Sequence, residues 1–176
     1  MIIAPDFVFL CIPRCASNTM REWLKRFGGV SHEPHHGRFI PLEHRHKFTF
    51  AIVRNPYDRM LSMWYHTRRN SPDAEWREMD VVTFARRCHE TEYGMSQRDF
   101  LEPAWPLRQI VQYEFLATWP YWLGEMPNPW GHPPAERRNA EDRPPWGADP
   151  NLGVDFIDAV NHHSLRDFDC WNYERL

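Results

Sequence analysis

The segment FVFLCIPRCASNT, residues 7–19, sets the architecture that the sequence predicts. Residues 7–12 form an unbroken apolar run with aromatic and β-branched members, which is typical of a strand buried on both faces. Pro13 ends this run. From Thr19 to Gly28 the apolar residues recur at helical spacing, at Met20, Trp23, Leu24 and Phe27. The segment therefore predicts a strand, a tight loop and a helix.

The same arrangement recurs at Phe48–Val53 (FTFAIV), a second apolar run typical of a buried strand. Asn55 is a suitable N-cap for a following helix, and Pro56 suits its first position. The apolar face of that helix comprises Tyr57, Met60, Met63 and Trp64. Two strand–loop–helix units in tandem predict an α/β fold with a central parallel sheet flanked by helices. Residues 31–47 between the units are polar, rich in histidine and loop-like.

Weaker signals follow along the rest of the chain. Residues 81–89 predict a helix, residues 107–113 a third strand, and residues 155–161 a short helix before an aromatic tail. Ten of the sixteen prolines lie between Pro103 and Pro150, with tryptophans among them, so we expect an ordered but irregular region there. The length of 176 residues predicts one domain, 1–176.

Composition limits the ligands and the location. Hydrophobic residues make up 42% and charged residues 26%, as in a soluble globular protein, and the net charge is −3. Nucleic acid is therefore not an expected partner. We expect instead a small phosphorylated molecule that is bound by a local cationic site. No run reaches the roughly 18 apolar residues of a membrane span. Without an export signal at the start, four cysteines lacking metal-pair spacing predict reduced thiols and a cytoplasmic location.

The first loop has the chemistry of an anion site. Arg14 follows the strand, and the small and polar residues Cys15, Ala16, Ser17, Asn18 and Thr19 lead into the helix. Backbone N–H groups at a helix start, hydroxyl groups and one cation together form a phosphate cradle. The alternative is that Ser17, Asn18 and Thr19 only cap the helix. The segment alone supports both interpretations equally.

The second loop places Arg54 at a strand end, with Arg59 and Ser62 on the next helix. Ligands of open parallel sheets bind outside the carboxyl ends of the strands, so we expect Arg14 and Arg54 to face one crevice. Two anion sites in one crevice suit a ligand with phosphates at both ends. For Arg59 we prefer a solvated position or an ion pair with Asp58 or another neighbour.

These segments resemble those of sulfotransferases that depend on 3′-phosphoadenosine 5′-phosphosulfate (PAPS). IPRCASNTM (12–20) is similar to the loop that binds the 5′-phosphosulfate, and FAIVRNPYDRMLSMW (50–64) to the segment that binds the 3′-phosphate. In the latter an arginine precedes a serine by eight residues, as Arg54 precedes Ser62. QYEFL (112–116) resembles a further family segment. The tail around Asp167, Phe168, Trp171 and Tyr173 resembles the carbohydrate-type, Golgi-like branch, here as a small prokaryotic- or phage-like member.

The resemblance implies a P-loop-like three-layer fold and transfer of a sulfuryl group from PAPS, without a metal, to a hydroxyl or amine acceptor, with carbohydrate as one candidate. Arg14 replaces the family's usual lysine, and we assign it to stabilising charge on the leaving nucleotide. Residues 14–19, Arg54 and Ser62 would hold the nucleotide, with Arg143, or else Arg137 or Arg138, in place of a missing glycine-rich loop. A general base is expected between the two loops, where SHEPHHGRF (31–39) offers, in order of preference, His36, His35 and Glu33, with His32 as a further possibility.

Other classes remain open from the sequence. Cys15 and Arg21 fit the C-x5-R pattern of a cysteine phosphatase, in which a thiolate attacks phosphate. A P-loop kinase is disfavoured because no Gly-Lys dipeptide occurs. A non-catalytic nucleotide-binding relative would retain the fold and lose the acceptor site. A zinc site at His32, His35, His36, His44 and His46 is disfavoured because no cysteine ligands flank these residues.

Overall fold

The computed structural model describes residues 1–91, 94–116, 146–149 and 151–176. Their contacts divide the chain into two compact units. One unit comprises Met1–Arg54 and Phe100–Asn139, and the other comprises Asn55–Asp99 and Ala140–Leu176. The expectation of one domain over the whole chain stays a prediction. The proline-rich segment from 117 to 145, predicted to be irregular, and residue 150 lie outside the described residues.

The first unit contains a five-stranded sheet, in the order β3-β1-β2-β4-β5. Its strands are β1 (Ile2–Ile3), β2 (Phe7–Leu10), β3 (Val30–Ser31), β4 (Phe48–Val53) and β5 (Gln109–Gln112). β4 pairs in parallel with both β2 and β5, which confirms the predicted parallel centre. β1 pairs antiparallel with β2 and β3, so the sheet is mixed. The two antiparallel strands were not predicted, because two residues carry no periodic signal.

Aromatic side chains form the centre of the sheet. The ring of Phe50 on β4 contacts those of Phe7 and Phe9 on β2, with centroids 5.8 and 5.0 Å apart, and all three residues are buried. Parallel strands are buried on both faces, and this explains why the predicted runs were continuously apolar. The register places Leu10 opposite Ala51, so the residues after β2 and β4 emerge from the same end of the sheet.

The first helix, α1 (Ser17–Leu24), follows the loop after β2 and belongs to the same unit. It begins two residues before the predicted start, and a turn of 3-10 helix continues it over Lys25–Phe27. Met20, Trp23 and Leu24 are buried, as the helical spacing predicted. Gly28 ends the turn with φ 79°, a conformation that glycine adopts without steric cost.

The second unit is helical in its described residues. Its helices are α2 (Pro56–Asn70), α3 (Ala74–Glu78), α4 (Val81–Arg87), α6 (Val154–His163) and α7 (Leu165–Trp171), and α5 (Gln97–Leu101) begins in this unit and ends in the first. The Asn55 side chain accepts a hydrogen bond from the N–H of Tyr57 (3.0 Å), which confirms the predicted N-cap. The core includes Tyr57, Met60, Trp64, Phe84, Phe156 and Phe168. None of the helices in the described residues has the length and apolar character that a bilayer crossing requires.

Candidate anion-binding site

The loop after β2 folds back on the carbonyl oxygen of Ile12. The N–H of Cys15 donates to this oxygen at 3.2 Å, and the hydroxyl of Ser17 donates to it at 2.6 Å. The Ser17 side chain therefore closes the loop rather than capping the helix. Both contacts turn residues 13–16 into a tight arch between the strand and α1.

Two residues of this arch adopt left-handed backbone conformations without being glycine. Arg14 has φ 64° and Ala16 has φ 59°. This conformation costs an L-residue about 1–2 kcal/mol, and such strain concentrates at ligand-binding segments. Left-handed residues alternating along a loop turn successive N–H groups towards one side, forming an anion-binding concavity. The sequence could not reveal this feature, because left-handed loops ordinarily contain glycine.

Helix α1 begins beyond this arch without a side-chain cap. Ala16 is its N-cap residue and makes no side-chain hydrogen bond, and the N–H of Met20 donates to the Ala16 carbonyl at 2.9 Å. The amides of Ser17, Asn18 and Thr19 precede this first bond, so they are the donors that a helix start leaves for other partners. The expected alternative, capping by these three side chains, is therefore wrong. The same observation supports the anion-binding interpretation, because the amides at the helix start have no side-chain cap.

Arg54 joins the second segment to this loop. It directly follows β4, its side chain is 7% exposed, and its Nη1 donates to the Arg14 carbonyl oxygen at 3.1 Å. Its guanidinium also lies over the ring of Tyr113, 4.5 Å from the centroid. Tyr113 follows β5 and was not among the predicted site residues. Only its place in QYEFL, at the end of a predicted strand, could have indicated it.

The predicted partners of Arg54 on the next helix are buried. Ser62 lies in the second turn of α2 and has little exposed surface. Arg59 is only 2% exposed, and its Nη1 donates to the Met95 carbonyl oxygen at 3.1 Å. The prediction of a solvated Arg59 is therefore wrong. The Met95 carbonyl oxygen satisfies part of the guanidinium, which is how a buried cation is tolerated.

The candidate bases differ in their surroundings. His36 Nδ1 lies 2.6 Å from the carbonyl oxygen of Cys11, which follows β2 directly. A carbonyl oxygen only accepts hydrogen bonds, so Nδ1 carries the proton and Nε2 is the basic nitrogen of the neutral ring. His36 therefore lies at the loop end of the sheet in a tautomer that suits a general base.

His35 packs against His36, with ring centroids 4.5 Å apart, but its Nε2 contacts the guanidinium of Arg21. Burial, together with His36 and Arg21, lowers the pKa of His35 to about 4. Its basic nitrogen is thus engaged by a cation. Glu33 is exposed and accepts a hydrogen bond from the backbone N–H of His35 at 3.0 Å. His32 lines a groove beside β3.

The features of a cysteine phosphatase do not come together. The Cys15 side chain is 0% exposed, and Arg21 of the C-x5-R pattern contacts His35. A nucleophilic thiolate requires an accessible, electropositive environment. Burial also raises the pKa of the neighbouring Cys11 to about 11, so its thiol is held protonated.

Two further expectations concern cations. Arg137, Arg138 and Arg143, proposed to contact the nucleotide, lie outside the described residues. Within the residues that the structure describes, no three His, Cys, Asp or Glu side chains are grouped as a metal ion would require. The expectation that no metal takes part stays a prediction.

A mixed α/β unit with a strained cationic loop at its strand ends has the features that are typical of an anion-binding site. The chain matches the model of the sulfotransferase family over residues 4–119, and it belongs to that family. The matched range contains the loop, Arg54, Ser62 and Tyr113. No curated protein and no solved structure matches the chain.

Proposed function

We propose that this protein transfers a sulfuryl group from PAPS to a hydroxyl or amine acceptor. The observation that carries the proposal is the strained loop at Arg14 and Ala16, whose backbone Arg54 holds through the Arg14 carbonyl. It supplies backbone donors, a helix start and two arginines at one end of the sheet. These groups fit a donor that carries a phosphosulfate and a separate phosphate.

PAPS supplies an activated sulfuryl group whose transfer breaks the bond between sulfur and the bridging oxygen of the nucleotide. The amides of Ser17, Asn18 and Thr19 would bind the phosphosulfate oxygens. Arg14 would stabilise the negative charge that builds on the bridging oxygen, a role that needs charge and geometry but no proton transfer. Ala16 would contribute its backbone N–H group rather than its side chain, whereas Cys15, whose N–H donates to the Ile12 carbonyl oxygen, would shape the loop.

Arg54 would hold the 3′-phosphate from its place after β4. Its contacts with the Arg14 carbonyl and the Tyr113 ring restrain the guanidinium, so little rotamer freedom remains to be lost on binding. Ser62 and Arg143 are proposed as further ligands of the nucleotide on the strength of the family resemblance.

His36 is the proposed general base. The acceptor oxygen would attack the sulfur atom as His36 Nε2 takes the hydroxyl proton, and the Cys11 carbonyl would hold the ring in that tautomer. The contact of His35 with Arg21 and the exposure of Glu33 support the choice of His36 over both. A carbohydrate acceptor is proposed only from the resemblance of the tail to the carbohydrate-type branch.

Calorimetric titration with 3′-phosphoadenosine 5′-phosphate (PAP), ATP and orthophosphate tests donor binding. We expect selective binding of PAP, weakened by Arg14→Ala and by Arg54→Ala. Arg26→Ala, which removes an exposed arginine from the 3-10 turn after α1, is the control. The proposal would be contradicted if the folded protein does not bind PAP, or if it binds ATP as tightly as PAP.

Release of PAP from PAPS in the presence of an acceptor panel tests catalysis. His36→Gln should lower kcat by about 10²-fold or more while PAP affinity is retained, because only proton transfer is lost. His46→Gln is the control, since His46 is exposed. PAP binding without turnover on any acceptor would identify a non-catalytic relative instead. Hydrolysis of p-nitrophenyl phosphate that is abolished by Cys15→Ser would favour the phosphatase alternative.

A further inference from the structure

A groove of about 330 Å³ runs beside the edge strand β3, within the first unit. Its polar lining consists of Lys47, His44, His32 and Ser31, and its apolar lining includes Ile3 and Val30. In the described part of the chain no acidic side chain lines it. The groove therefore combines a cationic end with an apolar wall, as small-molecule sites do.

The cationic end lies away from the loop after β2. Ala4 and Pro5 precede β2, and Lys47 precedes β4, whereas the loop and Arg54 follow these strands. The six residues of β4 separate Lys47 from Arg54 by about 20 Å at the usual rise per residue. The groove is thus separate from the loop after β2, because none of residues 14–19 lines it.

The polar groups of the groove have unused hydrogen-bonding capacity. Among the described residues the Lys47 ammonium makes one hydrogen bond, from Nζ to the Ala4 carbonyl oxygen at 2.7 Å, whereas an ammonium has three donors. His44 Nδ1 is shielded from solvent and has no hydrogen-bond partner among the described residues. His44 also lines the groove, and it is the second polar group that is available to an anionic ligand there.

We propose that this groove binds a small organic anion, with a carboxylate, sulfate or sulfonate group at Lys47 and His44 and an apolar body against Ile3 and Val30. The volume is at the lower end of that of ligand pockets, so a ligand with about one or two rings would fill the groove. Donors fixed at Lys47 recognise the charge, and the wall selects against inorganic ions.

The chain has only two lysines, Lys25 and Lys47, which makes the proposal directly observable. In protein labelled with 13C-lysine, naphthalene-2-sulfonate and 2-naphthoate should each shift the Lys47 signal saturably. The signal of Lys25, an exposed residue paired with Glu22, should stay in place. The neutral 2-naphthalenemethanol and inorganic sulfate should each bind much more weakly. Equal shifts of both lysine signals would show non-specific binding and overturn the proposal.

Variants locate the site independently of the labels. Lys47→Met should raise the Kd of naphthalene-2-sulfonate about tenfold or more, whereas Lys25→Met should not change it. Val30→Glu should also weaken binding by charge repulsion. The fold should tolerate this substitution because Val30 is 68% exposed. Val154→Glu, at a residue 75% exposed on α6, is its matched control. Unchanged affinity in Val30→Glu, or displacement of the probe by PAP, would contradict a separate anion site.

Discussion

The guanidinium of Arg54 donates from Nη1 to the carbonyl oxygen of Arg14 at 3.1 Å. A side chain that follows β4 thereby holds the backbone of the loop that follows β2, at a residue with a left-handed φ. Arg54 therefore has two consequences: it presents a cation to a ligand, and it restrains the loop that would hold the other end of that ligand.

The restraint predicts faster hydrogen exchange in the loop when Arg54 is replaced. Loss of a hydrogen bond from a charged donor is worth about 1.5 kcal/mol, so the Cys15 amide should exchange roughly tenfold faster in Arg54→Met without ligand. Mass spectrometry of peptides covering residues 11–17 measures this. Arg26→Met should leave the rate unchanged, and an equal increase in both variants would mean that the effect is not local.

The Tyr113 ring beneath Arg54 predicts a graded effect on PAP binding. Tyr113→Leu removes the cation–π contact, which is worth about 0.5–1 kcal/mol at a partly exposed site, so the Kd should rise by roughly two- to fivefold. Tyr113→Phe retains the ring and should bind PAP nearly as well. Phe115→Leu, at an exposed aromatic residue two positions away, is the control for titration calorimetry. Equal weakening by Phe and Leu at position 113 would show that the hydroxyl matters, not the stacking.

The left-handed conformation of Ala16 predicts that glycine at this position stabilises the protein. Ala16→Gly should raise the free energy of unfolding by about 0.5–1 kcal/mol, or Tm by about 1–4 °C, because glycine adopts this φ without strain. Ala85→Gly, within α4, should instead lower stability by about 1 kcal/mol. Thermal denaturation of both variants makes the comparison. A lower Tm for Ala16→Gly would show that the alanine methyl group contributes packing that outweighs the strain.

The lowered pKa of His35 predicts a loss of stability in acid. The pKa falls to about 4 in the folded protein, so between about 6.5 and 4 the unfolded chain binds more protons and folding weakens as the pH falls. Urea denaturation across this range should show a shallower pH slope for His35→Gln. The slope should not vanish, because burial also lowers the pKa of His163. His46→Gln, at an exposed residue, should keep the wild-type slope, and identical slopes in all three proteins would contradict the prediction.

A buried carboxylate orders the start of α5 in the second unit. Asp167 accepts hydrogen bonds from the backbone N–H of Gln97 (2.9 Å) and of Arg98 (2.8 Å), one on each oxygen. Asp167→Asn has one acceptor oxygen and leaves a buried donor unpaired, so unfolding should become easier by about 1–3 kcal/mol. Asp169→Asn, at an exposed position on the same helix, should change little. Chemical denaturation distinguishes them, and equal stability would show that the amide satisfies both donors.

The sequence predicted those elements whose residues repeat with a clear period. β4 has the predicted bounds, β2 and β5 are shorter than predicted, and the helix after Asn55 starts where its cap and proline placed it. Sequence periodicity failed where polar residues were buried. Arg59 lies on the polar positions of α2 and is nevertheless buried, because the Met95 carbonyl satisfies part of it. Hydrogen-bond partners distant in sequence have no period that could reveal them.

The candidate site was predicted in part. The loop and Arg54 were located because residues after parallel strands emerge at one end of a sheet. The conformation of the loop was not predicted, because the contacts that close the arch impose the φ values of Arg14 and Ala16. The contact of Arg54 with Tyr113 depends on β5 pairing with β4, a relationship between residues far apart in the chain. The histidine segment and its order of preference were predicted, but the contacts of His36 with the Cys11 carbonyl and of His35 with Arg21, which support that order, were not.

The parallel pairing of β2 with β4 also bears on how the site forms during folding. Helix α1 and the turn after it depend on neighbours in sequence, whereas Phe7 and Phe48, paired across these strands, are roughly forty residues apart. Arg54 reaches the Arg14 carbonyl only after that long closure, so local structure does not assemble the site. A refolding experiment should show helical signal first and ligand-binding competence later, with the β2–β4 pairing as the slow step between them.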